Sequence, residues 1–343
     1  MLLTRQATDA VDVVERLGGL QAQQSRPPFT ALWTRIAAFK SDSLVRALHE
    51  RKLLRATMLR GTLHLVSPRD FLAWRPVLQP MLTAGALAIL RDRLQTLDHT
   101  HLLDAARECF KSRPRTFTSL RDGLMARFPD GDERAMGYFA RMHLPLGSVP
   151  DIKAAWAFNS DAEFELATQQ PLGEGNSESL VRRYLSAFGP ASIADFQAWS
   201  GLKNAKVLFG PLEDKLSRFQ DARKRVLYDL PEAPRPAEDT PAPVRFIAEF
   251  DNLILGHADR SRIISDEHRP RVVTKNLLVL GTFLVDGFVA GIWKTERKKQ
   301  TATLRLEPFD KLSVKTKKAL ELEGEQLIRF LEPDAAEAAL AFA

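Results

Sequence analysis

Two primary amides stand two residues apart at Gln21 and Gln23, with Ala22 between them, in the stretch LGGLQAQQSRPPFTALW from Leu17 to Trp33. A carboxamide offers a carbonyl acceptor and two N–H donors. In an extended or irregular backbone, residues i and i+2 project to one side, so this pair can hold a water or a polarised group between them. The amides are neutral, so such a site acts by position and electrostatics and not by proton transfer. The same residues would also suit a structural task, satisfying backbone groups at a helix start. Gln24 and Arg26 follow directly and join the candidates.

The other chemistry-bearing residues are more scattered. Arg55, Arg60 and His64 lie close together in LLRATMLRGTLHLV and suit phosphate or a nucleic-acid groove. His64 would serve as a base or a polar contact, although a single histidine on a strand is commonly structural. Lys203, Asn204 and Lys206 open a helix after a Ser200-Gly201-Leu202 turn, where a major-groove reader carries its contacts. Asp251 lies near Asp259, Arg260 and Arg262, as an acid-base candidate or as half of a buried ion pair. Asp98, His99 and His101 invite a metal, but no second ligand cluster accompanies them, and a helix cap explains them equally. No metal or cofactor is expected.

The elements that must position the amides are short. Gly18-Gly19 should end a helix over Thr8–Leu17, and Pro27-Pro28 should pre-set the next, Pro28–Phe39. A third helix, Ser43–Glu50, precedes strands at Leu53–Met58 and Thr62–Val66 flanking Arg60-Gly61. Three helices closed by a hairpin is the winged-helix order, and Arg55, Arg60 and His64 would ride on the wing. Pro68 opens one connector helix and Pro80 a second. A further helical unit from His101 ends in strands at Leu146–Val149 and Ala155–Phe158, a second wing. After the Gly173–Asn176 linker comes a helix-turn-helix, with Phe196 and Trp199 on its first helix and Val207, Leu208, Leu212 and Leu216 on its second. Beyond the proline-rich Leu230–Pro243, VRFIAEF, RIIS, RVVT and the segments around Asp286-Gly287 read as strands, and Val314–Leu331 as an amphipathic helix. The expected architecture is α+β, mainly α: tandem winged-helix modules over residues 1–97, 98–172 and 173–240, then a β-rich curled sheet or partial barrel over 241–343.

Composition narrows the class. Forty-nine Lys plus Arg against 43 Asp plus Glu leave +6, which permits a polyanionic partner. One cysteine, Cys109, excludes an intramolecular disulfide framework and a Cys-rich zinc site. No apolar run reaches the length of a membrane span, and the opening MLLTRQATDAV lacks a secretory core, so a cytoplasmic protein with no membrane partner is expected.

Taken together, GLQAQ, LLRATMLRGTLHLVSPRDF, VRRYLSAFGPASIADFQAWSGL and EFDNLILGHADRSR make the chain resemble the winged-helix DNA glycosylase superfamily of AlkZ and YcaQ over nearly its whole length. The resemblance implies a C-shaped body with a basic concave channel for duplex DNA, and excision of N7-alkylated purines, including crosslinked ones. It implies a catalytic Gln-apolar-Gln motif, which falls on Gln21, Ala22 and Gln23; the YcaQ branch has Asp at the last place, so the match leans to the AlkZ branch. With no lysine beside the glutamines, a monofunctional hydrolase is expected, acting as a monomer. A non-catalytic winged-helix DNA-binding protein or regulator is the alternative, in which the glutamines only brace the first module.

Overall fold

The computed structural model describes residues 1–343, the side chain of Arg91 excepted. Helix α1 (Ala10–Arg16) stops at Gly18 and Gly19, which sit at φ of 66° and 93°. Their N–H groups close onto Glu15 O at 3.0 Å and Val14 O at 2.9 Å, satisfying carbonyls the helix leaves orphaned. Strand β1 (Leu20–Gln21) follows at once. Helix α2 (Pro27–Trp33) begins on the two prolines, which have no N–H to lose in a first turn, and α3 is Ser41–His49.

β2 (Leu54–Thr57) and β3 (Leu63–Val66) pair antiparallel, and a 3-10 turn at Leu59–Gly61 joins them. Helix α4 runs unbroken over Pro68–Leu90, through Pro76 and Pro80, where two helices were expected. Each proline removes one ladder bond, but tertiary anchors offset the loss. Arg75 and Gln79 donate to Met142 O at 2.8 and 3.2 Å, and Phe71, Trp74, Leu78, Leu82 and Leu90 are buried.

α5 (His99–Lys111), α6 (Phe117–Met125) and α7 (Glu133–His143) lead into β4 (Leu146–Ser148) and β5 (Phe164–Leu166). The strand expected at Ala155–Phe158 is instead a turn, with Ala157 at φ 62°. Asp98 caps α5 through bonds from Thr100 N (2.8 Å) and His101 N (3.1 Å), the structural role open to it from the sequence. Next come α8 (Ser177–Phe188), α9 (Ile193–Ser200) and α10 (Lys206–Phe209). The helix expected to continue to Leu216 ends after one turn because Gly210-Pro211 breaks it into a 3-10 segment. An unexpected hairpin follows, β6 (Ser217–Gln220) with β7 (Val226–Asp229).

The remaining elements are β8 (Arg245–Ile247), α11 (Asn252–Leu255), α12 (Arg269–Val272), β9 (Thr282–Val285), β10 (Phe288–Lys298), β11 (Thr301–Pro308), α13 (Val314–Leu331) and β12 (Glu337–Phe342). The strands expected in RIIS and RVVT are turn and α12. β8 to β12 form an open five-stranded sheet in the order β12-β11-β10-β9-β8, not a barrel, with β12 added parallel to β11. A parallel strand needs a crossover, which α13 supplies.

The fold is a mixture of α and β with helix the larger share. It groups into two compact units that cut across the four consecutive spans expected from the sequence. One holds residues 10–26 and 40–233; the other holds residues 1–9, 27–39 and 234–343.

The first unit is built on a five-stranded sheet, β1-β3-β2-β4-β5. Ala56 pairs with His64 on one side and Gly147 on the other, so the first expected wing and the first strand of the second, β4, lie side by side inside one sheet. Alternate residues of β2 and its neighbours pack oppositely. Leu54, Ala56, Met58 and Val66 join a cluster with Trp74, Tyr184 and Trp199, while Leu63, Leu146, Phe164 and Leu166 join another with Leu102, Leu120 and Phe139. Both faces are covered, every residue of β2 and β3 is buried, and Arg55, Thr57 and His64 lie inside where sequence alternation suggested a solvent face.

Candidate active site

The Gln-Ala-Gln motif is the edge of that sheet. Gln21 sits directly opposite His64 and Leu20 opposite Leu65, and Ala22 N donates to Leu63 O at 2.7 Å. The strand then ends, but its ladder continues through a side chain: Leu63 N donates to Gln23 Oε1 at 3.3 Å. Gln23 thus occupies an acceptor position that the backbone vacates as it turns towards Pro27.

Gln21 is held differently. Its side chain is largely buried, 9% exposed, and its Oε1 accepts from Arg60 Nη2 at 2.8 Å. The other guanidinium branch, Nη1, donates to Trp199 O at the last turn of α9, where carbonyls lack intrahelical partners and the helix dipole favours a cation. Arg60 reaches both because it stands at φ 55°, and because Gly201, at φ 83°, caps α9 against it. A Cβ on Gly201 would meet Arg60 Cα at 3.0 Å.

Both partners of the glutamine oxygens are pure donors, which fixes the orientation of each amide. Each carbonyl keeps a second lone pair, and neither NH2 group has a partner among the described residues. A guanidinium on Gln21 Oε1 also polarises that amide, since charge-assisted bonds are the stronger kind.

His64 completes the corner. It is fully buried, and burial followed by the Arg60 charge pushes its pKa down to about 3. The imidazole is therefore neutral at working pH. Its Nδ1 lies 3.0 Å from Thr62 O and so carries the proton, leaving Nε2 to accept from Arg60 Nη2 at 3.4 Å. With that lone pair facing a cation, His64 serves as a polar strut and not as a base.

Arg55 turns inward as well. It is 6% exposed, and its Nε donates to Ala22 O at 2.9 Å and its Nη2 to Gln23 O at 3.3 Å, clamping the motif's backbone. Its guanidinium lies 4.6 Å from the Phe158 ring centre. Burial, then the charge of Arg141, lowers its pKa to about 10, which still leaves it charged. Ser25 Oγ donates to Phe158 O at 3.1 Å. Sequence reading missed Phe158, Ser25 and the Trp199 carbonyl as parts of this site. No local signal marks Phe158, which lies 133 residues beyond Ser25.

Of the sequence candidates, Gln21, Gln23, Arg55, Arg60 and His64 come together. Gln24 is exposed and Arg26 half-buried, just after the motif. Lys203 and Lys206 are exposed at the start of α10. Asp251 does not join the site; it belongs to the other unit. There it caps α11 and takes a buried bidentate bond from Arg35, with both N–O distances 2.8 Å.

Comparison with known proteins gives the chain a family. The family model described as DNA glycosylase AlkZ-like matches residues 14–330. An interstrand DNA cross-link repair glycosylase from Streptomyces sahachiroi is 24% identical over 348 residues, covering 95% of this chain and 91% of that protein. The solved structure of Streptomyces sahachiroi DNA glycosylase AlkZ superposes with a TM-score of 0.80 at 24% identity, covering all of this chain and 95% of that one. With a match that takes in the glutamine corner and most of both units, the chain belongs to the AlkZ-like DNA glycosylase family.

Proposed function

We propose that this protein excises N7-alkylated purines from duplex DNA, crosslinked ones included, as a monofunctional, monomeric glycosylase whose water is held by Gln21 and Gln23. The observation that carries the reading is the pinned amide pair, with Gln21 Oε1 on Arg60 and Gln23 Oε1 on Leu63 N. The Streptomyces relative bears the name of an interstrand cross-link repair glycosylase, which supports crosslinked DNA as a substrate here.

The chemistry suits neutral groups. Alkylation at N7 makes guanine cationic, so when the C1′–N9 bond breaks, its electron pair neutralises the departing base and no acid is needed. The sugar left behind is an oxocarbenium-like cation. Water adds to C1′ and releases its proton to solvent, giving an abasic site and free base. The free lone pairs of the two glutamine carbonyls orient that water and oppose dipoles to the sugar cation. The Arg60 charge would otherwise work against such a cation; it is spread over Gln21 and the end of α9. An undamaged purine, a far poorer leaving group, survives so mild a site.

The three runs of helix-helix-helix-hairpin order, α1–α3 with β2–β3, α5–α7 with β4–β5, and α8–α10 with β6–β7, support a tandem winged-helix reading. DNA contacts by the exposed Lys203 and Lys206, and by Arg26, belong to that reading.

The test is incubation with duplex DNA carrying one N7-methylguanine, scored by alkaline cleavage beside an undamaged duplex, with a parallel borohydride trap. Cleavage of the damaged strand alone, with no trapped adduct, is expected. A trapped covalent adduct would replace hydrolysis with lyase chemistry, and no cleavage with tight duplex binding retained would favour a binding protein.

A further inference from the structure

Successive residues of a strand face opposite ways, so Arg55 and Thr57 of β2 lie on the sheet face away from Ala56 and its partner His64. Arg141, in the last turn of α7, comes down on that face. Its Nε donates to Thr57 Oγ1 at 3.4 Å, and its guanidinium lies 5.8 Å from the Phe117 ring centre.

Two cations thus stand beside the glutamine motif with no acid to balance them. Among the described residues, the partners of Arg55 are the Ala22 and Gln23 carbonyls and the Phe158 ring, and those of Arg141 are one hydroxyl and one ring. The two charges also act on each other: burial and then the Arg141 charge lower the Arg55 pKa to about 10, and burial lowers that of Arg141. Both guanidinium groups remain charged at working pH.

An arginine can be buried without an acid for structure alone, as Arg75 is, but Arg75 spends both terminal nitrogens, on Gln79 Oε1 and Met142 O. Arg141 spends only Nε, on a long bond, and its two Nη groups have no partner among the described residues. It is also half-buried, so a ligand can reach it. Neighbouring like charges in a partly desolvated site are costly until a counter-charge arrives. The ligand that suits a free guanidinium fork is a phosphate, which accepts two parallel N–H bonds.

We infer that Arg141 binds a backbone phosphate of the DNA strand that carries the damaged purine, with the Arg55 charge strengthening its hold. Arg55 couples this contact to the chemistry, because it clamps the backbone of Ala22 and Gln23. A strand anchored at Arg141 has its register set against the glutamine amides. The contact is made on the sugar-phosphate backbone and asks nothing of the base stack, so it serves methylated and crosslinked purines alike. The inference rests on the glycosylase reading for its ligand, and binding and excision are measured apart so that each can fail alone.

The experiment compares wild type with Arg141→Gln on duplexes carrying one N7-methylguanine, with natural phosphates or with one neutral methylphosphonate at each flanking position in turn. Arg141→Gln should bind the natural duplex about tenfold more weakly. Across about 50–200 mM salt, its slope of log affinity against log salt should be shallower by about 0.9, the loss of one phosphate contact. One methylphosphonate position should weaken wild type by a similar factor and leave Arg141→Gln unaffected. An arginine that only braced the sheet would move stability and not the slope. An unchanged slope in a folded Arg141→Gln protein, or methylphosphonate losses equal in both proteins at every position, would overturn the inference. If Arg141→Gln does not fold, Arg141→Lys replaces it: its ammonium cannot form the fork, so that methylphosphonate should cost it less than wild type, and an equal cost would overturn the inference. The slope change without excision by either protein would support the phosphate contact and overturn N7-methylguanine as the substrate.

Discussion

At the scale of single residues, charge placement separates what acts from what supports. Arg60 and Arg55 both read from the sequence as cations offered to DNA, yet the structure spends their donors on Gln21, the Trp199 carbonyl and the motif's own backbone. That rerouting was not legible, because whether an arginine meets a phosphate or a carbonyl depends on what folds against it. His64 carries a distinct pH signature. Its pKa falls from 6.5 in the unfolded chain to about 3 in the folded one. Below pH 6.5 the unfolded chain takes up a proton that the folded protein refuses, so stability is complete above that pH and declines as pH drops towards 3. Melting temperatures measured from pH 7.5 to 5 should fall more steeply for wild type than for His64→Gln. The excision rate should show no inflection near pH 6.5 from this group.

At the scale of elements, the Gly18-Gly19 stop, the proline start of α2 and the span of α13 were all legible, because each rests on local backbone chemistry. The β2–β3 hairpin was legible too, but its burial was not: alternation marks one polar face, and only the packing of helices on both sides shows that this face is interior. The unbroken α4 and the one-turn α10 diverge from expectation for opposite reasons. Tertiary anchors at Met142 carry the first past two prolines, while Gly210-Pro211 turns the second into a 3-10 segment. The contact between α9 and the β2–β3 turn gives the element-scale prediction. Gly201→Ala would place a Cβ against Arg60 at a left-handed φ, so it should lower stability by about 1–2 kcal/mol. It should also slow excision, because Arg60 and then Gln21 must shift. Denaturant unfolding beside single-turnover kinetics checks both effects; a variant with wild-type kinetics would break the proposed link from α9 to the motif.

At the scale of the whole molecule, the two compact units do not follow the consecutive spans of the linear reading. The N-terminal residues and α2 group with the open sheet near the C-terminus, a long-range pairing that no local pattern in either segment announces. One lock on that unit is the buried Arg35–Asp251 pair. Removing one partner of such a pair strands a charge and costs about 3–5 kcal/mol. Asp251→Ala should therefore lower the melting temperature sharply, yet excise at the wild-type rate at a temperature where it remains folded. Loss of rate in a folded Asp251→Ala protein would return the residue to the catalytic candidates.

The most direct measurement is single-turnover excision of N7-methylguanine by wild type and Gln21→Ala, with the duplex dissociation constant measured for each. Removing one preorganised dipole from a transition-state site costs about 100-fold or more in rate, and Gln21, largely buried at the sheet edge, contributes little to DNA affinity. The expected result is a rate lowered by about that factor, with the dissociation constant within about twofold of wild type because Gln21 offers little exposed surface to DNA. A Gln21→Ala protein that binds and cleaves as wild type does would contradict the account and move the chemistry away from the glutamine corner.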